Sequence, residues 1–296
     1  AAEILISNGV AKPILLGSKD KMEAIIEEYQ LELQEAEFID VTADSAGREA
    51  YAAQMYEFRK RRGWTMGECR SKIKSREYYG NMMLRDGGAD ALISGLTVKY
   101  PTALRPILRI IGMEEGMRKA AGMYILLRKR GPMFFADTTI NLDPTVEDLV
   151  QMVLNVADTV KRTNIVPKVA LLSYSNFGSS NGPDARKMAQ ASAILRKEHP
   201  DLIVDGEMQA NFALEPELLK ESFPFSDLVG HQANVFIFPN LAAGNITYKM
   251  LQSFGAAEAI GPMLIGTKSS AHVLQLGASV REIVNMATQM NFNDYY

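Results

Sequence analysis

The segment LLSYSNFGSSNGPDAR, residues 171–186, carries the pattern that decides the fold. It continues an apolar run at 168–172, which predicts a buried strand, and leads into residues 185–191, which predict a helix. Small hydroxyl, amide and glycine residues fill the space between them. A strand that opens through such a loop into a helix presents backbone N–H groups and a positive dipole end to an anion. The segment therefore predicts either a ligand-binding loop or a flexible turn with an N-cap.

Strands and helices alternate along the rest of the chain. The predicted strands lie at 12–17, 37–41, 90–95, 122–127, 133–137, 168–173, 202–204, 227–229, 234–238 and 259–265. The predicted helices lie at 18–29, 48–62, after 65, around 81–84, and at 102–111, 145–160, 184–197, 215–221, 244–254 and 279–290. This alternation predicts the α/β class with mostly parallel sheets. The segment 141–145 is the candidate boundary between two α/β domains, whose cleft is the default place for a ligand.

Composition and charge exclude several classes of protein. The 296 residues include 32 Lys and Arg against 35 Asp and Glu, so no basic field draws the chain to nucleic acid or to a membrane surface. The single cysteine, Cys69, excludes an internal disulfide framework and fits a reducing compartment. No apolar run approaches the roughly 18 residues of a transmembrane helix, and no secretory signal is present. We therefore expect a cytoplasmic protein that contacts neither nucleic acid nor membrane.

A dense basic stretch begins at residues 58–62 and continues at Arg70, Lys72, Lys74 and Arg76. It is interpreted either as a solvated helix face or as a surface that attracts a polyphosphate. No Walker A loop and no G-x-G-x-x-G pattern occurs anywhere, so neither nucleotide motif supports a phosphate site.

Three carboxylates, Asp137, Asp205 and Glu207, stand at predicted strand ends. Paired carboxylates there suit a base or metal ligands, and the competing interpretation is structural capping. The three histidines are far apart in sequence and lack metal-ligand spacing, so we expect them to be structural and expect no metal site. Cys69 has no histidine or cysteine nearby in sequence, which favours a buried, unreactive thiol.

Seven ordered blocks of sequence carry a resemblance to a known family. They are AKPILLG at 11–17, ADALISGL at 89–96, FFADTTIN at 134–141, SYSNFGSS at 173–180, DGEMQ at 205–209, PNLAAGNITYK at 239–249 and GPMLIGT at 261–267. Together they resemble the phosphate acetyltransferase and butyryltransferase family. The resemblance implies two α/β domains of the isocitrate and isopropylmalate dehydrogenase-like type, flanking a cleft for coenzyme A. It places residues 1–141 and about 278–296 in the first domain and residues 142–277 in the second.

The resemblance also implies a chemistry from which this chain departs. In active members the coenzyme A thiolate attacks acetyl phosphate, served by a serine-arginine-glycine pattern and a following aspartate. Here Gln275 replaces the serine, Leu276 replaces the arginine and Glu282 replaces the aspartate. Glu282 keeps a carboxylate for a base, whereas Leu276 has neither donor nor charge for a phosphate. We therefore expect no catalytic residues in this chain.

The same departures resemble the phosphotransacetylase-like C-terminal domain of large bacterial NADP-dependent malic enzymes. The stretch HVLQLGASVREIVNM at 272–286 is similar to that subgroup, and the missing initial methionine predicts a fragment of a longer chain. The resemblance implies that NADP and a divalent metal bind only in the malic enzyme part. In this fragment it implies no cofactor, acetyl-CoA or coenzyme A as a regulatory ligand, and a role in oligomerisation. The alternative is a working phosphate acetyltransferase that holds phosphate with other groups.

The resemblance implies acyl-CoA contacts at the loops that carry the family blocks, and a homodimer or higher homo-oligomer. The predicted contacts are Arg105, Ser175, Asn176, Phe177, Gly178, Ser179, Gly261, Pro262, Gly266, Thr267, Lys268, Gln275 and Glu282. A histidine-threonine-threonine stretch of the family is replaced by residues 99–101, whereas Arg105 stays in place. Apolar residues at 235–238 and 250–251 favour a subunit interface, because a closed two-fold arrangement is the commonest way to bury such surface.

Overall fold

A computed structural model describes residues 1–255 and 258–291, with side chains described through residue 290. The chain divides into two compact units. Unit 1 comprises residues 1–113 and the described residues from 267 onward, and unit 2 comprises the described residues of 114–266. None of the described helices is both long enough and apolar enough to cross a membrane.

The described helices and strands follow one another in the order that the sequence predicts, with few exceptions. The helices are α1 (Ala2–Ser7), α2 (Lys19–Tyr29), α3 (Ser45–Arg59), α4 (Met66–Lys72), α5 (Arg76–Asp86), α6 (Tyr100–Ile110), α7 (Val146–Arg162), α8 (Pro183–Glu198), α9 (Ala210–Leu214), α10 (Pro216–Ser222), α11 (Leu241–Ser253) and α12 (Val280–Asn291). The strands are β1 (Ile14–Leu16), β2 (Glu37–Ile39), β3 (Ala91–Gly95), β4 (Ala121–Arg128), β5 (Gly131–Ala136), β6 (Lys168–Leu172), β7 (Ile203–Met208), β8 (Val235–Ile237), β9 (Glu258–Ile265) and β10 (Ser270–Leu274).

Helix starts in this chain follow from side-chain caps. The Thr65 hydroxyl accepts a hydrogen bond from the Glu68 N–H at 3.2 Å, and the Glu68 carboxylate accepts the Thr65 N–H at 3.0 Å. Thr145 and Asp148 form the same reciprocal pair at the start of α7. Each arrangement is a capping box, which satisfies two backbone N–H groups that the first turn leaves unpaired. Ser18 precedes α2 and is a residue type that favours helix starts, but its side chain makes no cap hydrogen bond.

Unit 2 is built on a six-stranded sheet with the order β7-β6-β8-β5-β4-β9. The pairs β7–β6, β6–β8 and β8–β5 are parallel, whereas β4 runs antiparallel to both β5 and β9. The sheet is therefore mostly parallel with an antiparallel edge, and the predicted α/β class is confirmed.

The division between the units lies ahead of the predicted boundary at residue 141. The reason is the hairpin of β4 and β5, in which Arg128 pairs with Gly131. These two strands pair with β9 and β8 of unit 2, so the hairpin contributes to the unit 2 sheet rather than to unit 1. Position along the sequence did not reveal this, because the partner strands lie more than 90 residues further along the chain.

Unit 1 holds two short parallel pairs, β1 with β2 and β10 with β3. The β10 strand was not predicted, because residues 270–274 mix a serine and a histidine with apolar neighbours and show no run longer than two apolar residues. In the structure Ser270 to Leu274 lie directly beside Ala91 to Gly95. This pairing brings the carboxyl ends of β3 and β10 to one edge.

The core of unit 2 contains one of the two apolar runs that favoured a subunit interface, residues 235–238. Val235, Phe236 and Ile237 are fully buried in β8, between β5 and β6, so they have no surface to offer a second copy. Phe236 packs edge-on against Phe135, with ring centroids 5.3 Å apart. Burying each such side chain contributes about 1.5–3 kcal/mol. The apolar run at 235–238 is a core strand, as expected for a strand covered on both faces.

A predicted strand at 227–229 is absent from the structure. This short apolar run follows successive turns, with the Ser226 N–H bonded to the Phe223 carbonyl and the Val229 N–H bonded to the Ser226 carbonyl, both at 3.0 Å. Leu228 is fully buried and joins the unit 2 core from this turn. Periodicity alone does not separate a buried strand from an apolar turn of this length.

Candidate functional site

The SYSNFGSS loop is held by a buried carboxylate on the neighbouring strand. Strands β6 and β7 are parallel neighbours, so the loop after β6 meets the end of β7. Glu207, only 2% exposed, accepts hydrogen bonds at Oε1 from the Ser175 hydroxyl at 2.8 Å and from the Gly178 N–H at 2.7 Å. The Asn176 side-chain oxygen in turn accepts the Gln209 N–H at 2.8 Å. The loop is therefore fixed to residues 205–209 and is not a flexible turn.

The backbone N–H groups of the SYSNFGSS loop already donate hydrogen bonds within the protein. The Asn176 N–H donates to the Ser179 hydroxyl at 2.9 Å, and the Phe177 N–H donates to the Glu207 carbonyl at 2.9 Å. The Gly178 N–H binds the Glu207 carboxylate, as described above. These groups do not point to an unfilled anion site, so the expectation that residues 176–179 cradle an anion with their backbone is corrected. Side-chain contacts of Ser175 to Ser179 with a ligand remain a prediction.

The carboxylates at strand ends have structural partners, as one of the two interpretations predicted. Asp205 accepts hydrogen bonds at Oδ2 from the Ser226 hydroxyl at 2.7 Å and from the Asp227 N–H at 2.9 Å. Asp137 accepts hydrogen bonds from the N–H groups of Thr139, Ile140 and Asn141 in its own loop and from the Gly122 N–H of strand β4. These bonds order the loops at the carboxyl edge of the sheet. Among the described residues no group of three or more metal-ligating side chains is placed to hold a metal ion.

Residues 261–265 belong to strand β9 rather than to a loop, which corrects the expected loop in part, whereas residues 266–268 follow the strand. Gly261 and Pro262 are buried inside β9, where the neighbouring strand is β4. A side chain at Gly261 would lie 2.7 Å from the Tyr124 ring, so the glycine permits this close strand packing. Gly266 follows the strand with φ of +83°. Gly261 and Pro262 therefore have a packing role in β9, and their contact with a ligand stays a prediction.

Two further predicted contacts lie where the chain enters unit 1. Thr267 is buried, pairs with Met113 in an isolated antiparallel bridge, and donates its hydroxyl to the Ser269 carbonyl at 3.1 Å. The Lys268 N–H donates to the Gly112 carbonyl at 3.2 Å, and the Lys268 side chain is exposed. Of these two residues, only Lys268 presents a side chain to solvent.

In unit 1 the stretch that departs from the family pattern lies at the carboxyl ends of β3 and β10. Gly95 has φ of +102°, and a side chain there would meet the Leu274 carbonyl oxygen at 2.1 Å, so only glycine fits. The Gly277 N–H donates to the Leu96 carbonyl at 3.4 Å. Leu276 lies in this turn with 59% of its surface exposed. The solvent-exposed side chain at this position is thus apolar, whereas the resemblance leads us to expect a phosphate-binding cation.

The carboxylate of Glu282 caps the last helix. Its Oε2 accepts the Ser279 N–H at 2.7 Å and the Ser279 hydroxyl at 2.8 Å, and the Glu282 N–H donates back to that hydroxyl at 3.2 Å. This reciprocal arrangement is a capping box at the start of α12. The Oε2 oxygen of this carboxylate is therefore engaged at the helix start, and a role of Glu282 as a base stays a prediction. Arg105 lies exposed on α6 of the same unit.

The basic stretch of unit 1 forms a cation–aromatic cluster around Trp64. Cations from three helices lie over its ring: Arg59 at 5.5 Å, Lys72 at 5.2 Å and Arg109 at 5.6 Å from the ring centroid. Arg109 also donates to the Tyr78 hydroxyl at 3.1 Å. We call these five residues the Trp64 cluster. Most of the basic stretch is exposed, as the solvated-face interpretation predicts, whereas Arg59 and Lys72 contact the Trp64 ring, which neither interpretation included.

Arg59 at the centre of the cluster is a buried guanidinium. Only 7% of its surface is exposed, and its Nε has no hydrogen-bond partner. Burial lowers the pKa of Arg59, and the nearby charges of Arg62 and Arg109 lower it further. Among the described residues no carboxylate lies within ion-pair distance of Arg59, Lys72 or Arg109. A buried cation without a counter-charge is costly unless an anion neutralises it, so this cluster is a candidate anion site in unit 1.

Cys69 and His272 are both buried, as the structural interpretation predicts. Burial raises the pKa of the Cys69 thiol and so disfavours the reactive thiolate. Burial lowers the pKa of His272 to about 4, so its imidazole is neutral at physiological pH.

Comparison with known proteins gives the family. Residues 1–290 match the phosphate acetyl/butaryl transferase family. The chain belongs to this family. It is 34% identical over 293 residues to the phosphate acetyltransferase of Clostridium acetobutylicum, covering 97% of this chain and 87% of that protein. A crystal structure of a phosphotransacetylase from Streptococcus pyogenes superposes with a TM-score of 0.90 at 32% identity, covering 99% of this chain and 88% of that one.

Malic enzymes are also among the relatives. The chain is 38% identical over 290 residues to the NADP-dependent malic enzyme of Haemophilus influenzae, covering 97% of this chain and 38% of that enzyme. It thus spans little more than a third of the malic enzyme relatives, which is consistent with a domain of a larger chain. The phosphotransacetylase structure above confirms the mostly parallel α/β fold, and the likeness to isocitrate dehydrogenase stays a prediction.

The family blocks mark loops and close packing at strand ends rather than a single motif. DGEMQ supplies Glu207, which holds the SYSNFGSS loop, and ADALISGL supplies Gly95, which permits the β3–β10 approach. The Trp64 cluster lies outside these blocks, and sequence analysis missed Trp64, Tyr78 and Arg109 as members, although it offered the basic stretch with Arg59 and Lys72 as a surface that attracts a polyphosphate. Its sequence signal is a single tryptophan two residues after a basic run, with Gly63 between them at φ of +83°. That turn returns Trp64 to the end of α3, where its N–H approaches the Arg59 carbonyl at 3.5 Å.

Proposed function

We propose that this chain is a phosphotransacetylase-like regulatory domain that binds acetyl-CoA without transferring its acetyl group. The observation that carries the proposal is Leu276, an exposed apolar side chain at the position where active family members, by the resemblance described above, carry arginine. Leucine offers no hydrogen-bond donor to a phosphate, whereas arginine offers a bidentate pair. Loss of one such transition-state group commonly costs about 10²–10³ in rate.

The engagement of Glu282 supports the same proposal. A base for the coenzyme A thiol needs a carboxylate oxygen that is free to approach it. The Oε2 oxygen of Glu282 already accepts two hydrogen bonds from Ser279. Recruiting that oxygen as a base would break the capping box, which costs about 0.5–2 kcal/mol of helix stability.

The Trp64 cluster supports binding of the coenzyme. Coenzyme A carries several phosphate groups, and a phosphate is the counter-charge that a buried guanidinium without a carboxylate lacks. Arg59 and Arg109 supply planar donors, and Lys72 supplies a third positive charge. Burial lowers the pKa of Arg59, so a neighbouring anion would stabilise its charged form.

We propose further that the domain belongs to an NADP-dependent malic enzyme of the cytoplasm. NADP and a divalent metal would then bind in the part of such an enzyme that this chain does not span, and acetyl-CoA would act as an allosteric effector. The relatives support this, because the Haemophilus influenzae malic enzyme extends well beyond the matched region. A single buried cysteine fits a reducing compartment.

Self-association is part of the proposed role, and α11 is the surface that supports it. Ile246, Met250 and Phe254 are 58%, 50% and 73% exposed and are spaced four residues apart, so they follow one face at the end of this helix. A second copy that covers this stripe would remove apolar surface from water. We propose a homodimer that uses this face.

The alternative function is a working phosphate acetyltransferase. It is favoured by the Clostridium acetobutylicum relative, of which this chain spans 87%. In that case a cation other than residue 276 holds the phosphate, and acetyl-CoA forms from coenzyme A and acetyl phosphate. A coupled assay of that reaction separates the two functions.

Trp64 offers a direct test of the binding proposal, since it is the only tryptophan of the chain. Acetyl-CoA should change its fluorescence in a saturable manner and raise the melting temperature, whereas acetyl phosphate alone should do little. The variant Arg59→Gln should weaken acetyl-CoA binding at least tenfold, because a charge-assisted contact is worth about 1.5–3 kcal/mol. Arg61→Gln, which removes an exposed arginine two residues along, is the matched control. Equal binding by wild type and Arg59→Gln would overturn the proposed site.

A further inference from the structure

Three cations in the Trp64 cluster share one aromatic ring, and none of them forms an ion pair among the described residues. Arg59, Lys72 and Arg109 all lie within 5.6 Å of the Trp64 ring centroid. A cation at such a distance over an indole face is attracted by the negative face of the ring. A carboxylate would hold the same cations, but it would also compete with an incoming anion. An aromatic ring attracts them without neutralising their charge.

We propose that Trp64 is a positioning residue that holds Arg59, Lys72 and Arg109 together, ready for a phosphate group, in the place of a carboxylate. This inference rests on the proposed function, because it concerns how the cluster prepares for the phosphates of its ligand. Trp64 acts through the cations and does not itself need to touch the ligand.

Two features of the geometry support a role of the Trp64 ring in holding the three cations together. The three cations come from α3, α4 and α6, and Trp64 itself lies in the turn between α3 and α4. The ring also meets Tyr78 of α5, with centroids 6.2 Å apart and planes tilted by 56°. Tyr78 accepts the hydrogen bond of Arg109, so ring packing and guanidinium placement are linked.

The three positive charges repel one another, and the Trp64 ring opposes that repulsion. Without the ring, like charges favour side-chain rotamers that hold them apart, and the long side chains of arginine and lysine have many rotamers available. The ring offsets part of the repulsion and restricts the rotamers before any ligand arrives. Restricting a binding group in its bound geometry improves affinity by lowering the entropy lost on binding.

The test compares Trp64→Phe, which keeps an aromatic face, with Trp64→Leu, which removes it. Tyr29→Leu removes an aromatic residue that is 65% exposed on α2 of the same unit and serves as the control. Affinity for inorganic pyrophosphate, the probe, is measured by calorimetry. We expect Trp64→Leu to weaken binding about tenfold, Trp64→Phe to stay within about threefold of wild type, and the control to match wild type.

A second readout needs no ligand. The ¹⁵N heteronuclear Overhauser effect of the Arg59 Nε–H, assigned through its loss in Arg59→Lys, reports rapid motion of that side chain. It should be close to backbone values in wild type and Trp64→Phe and should fall in Trp64→Leu. An Arg59 side chain that is equally rigid in Trp64→Leu overturns the inference, whatever the affinity for pyrophosphate. Failure of wild type to bind acetyl-CoA would instead overturn the proposed function, so the two failures are separate.

Discussion

Glu282 and Ser279 bind each other reciprocally at the start of α12, with the Glu282 Oε2 accepting the Ser279 N–H at 2.7 Å and its hydroxyl at 2.8 Å. The resemblance places Glu282 where active relatives carry an aspartate, and here the carboxylate is used to begin a helix. That helix contacts both α1 and β3, so its first turn stabilises unit 1.

The first prediction concerns this cap. Ser279→Ala should lower the free energy of unfolding by about 1 kcal/mol, because the first turn loses a side-chain acceptor for its N–H groups. Urea denaturation measures the change. Ser18→Ala is the matched control, since Ser18 precedes α2 without making a cap hydrogen bond, and it should change stability by less than about 0.5 kcal/mol. Equal losses in the two variants would show that the Ser279 cap contributes nothing.

The second prediction concerns the buried carboxylate under the SYSNFGSS loop. Glu207→Gln keeps the shape but weakens the bonds to the Ser175 hydroxyl and the Gly178 N–H. We expect a loss of about 1–3 kcal/mol in stability and faster hydrogen exchange at the Gly178 amide. Glu217→Gln on the exposed side of α10 is the control. Unchanged exchange at Gly178 would mean that the carboxylate does not hold the loop.

The third prediction concerns pH. Burial lowers the pKa of His272 to about 4 from the ordinary 6.5, so the unfolded chain binds the proton more readily than the folded one. Its contribution to stability is therefore present above pH 6.5 and is lost as the pH falls toward 4. Between pH 7 and pH 5 the free energy of unfolding should drop by about 2 kcal/mol through this group. Denaturation curves at both pH values measure it.

A histidine substitution provides the control for that pH dependence. His272→Gln removes the titrating group, so the stability difference between pH 7 and pH 5 should become much smaller even if overall stability falls. His231→Gln should keep the wild-type difference. A pH dependence that is identical in wild type and His272→Gln would assign the effect to other groups.

The fourth prediction concerns self-association through α11. Met250→Asp places a charge in the middle of the exposed apolar stripe and should convert a dimer into a monomer, because an unpaired charge in an interface is costly. Light scattering should then give the 32.7 kDa mass of one chain. Leu142→Asp changes a residue that is 77% exposed elsewhere in unit 2 and should leave the dimer intact. A wild-type protein that is already monomeric at micromolar concentration would contradict the proposed dimer.

Local patterns predicted most of the fold because strand and helix periods, caps and glycine turns are local signals. The helices predicted after residue 65 and from residue 145 do start there, each with a threonine in a capping box. The hairpin of β4 and β5 shows what local signals lack, because its place in the unit 2 sheet depends on strands far along the chain. The run at 235–238 shows the same limit, since apolar composition does not distinguish a core strand from an interface.

The candidate site was less predictable, because burial and counter-charges depend on tertiary contacts. In the sequence Arg59 is one cation among many. Only the structure shows that it is buried and forms no ion pair with a carboxylate of the described residues. The loop after β6 was recognised from its residues, but the use of its N–H groups by Glu207 and Ser179 was not visible in sequence. Leu276 was the exception, because the replacement of the family's arginine by leucine is visible in the sequence itself.

The most direct test of the account is acetyl-CoA formation from coenzyme A and saturating acetyl phosphate, measured on a preparation whose acetyl-CoA binding has been established by Trp64 fluorescence. For wild type we predict saturable binding of acetyl-CoA with turnover close to background. For the double variant Gln275→Ser and Leu276→Arg we predict detectable turnover, and its melting curve controls for misfolding. Recovery should be partial, because catalytic groups need placement within about 0.5 Å. Wild-type turnover at about 10 s⁻¹ or faster, an ordinary enzyme rate, would contradict the account and establish the chain as a working phosphate acetyltransferase.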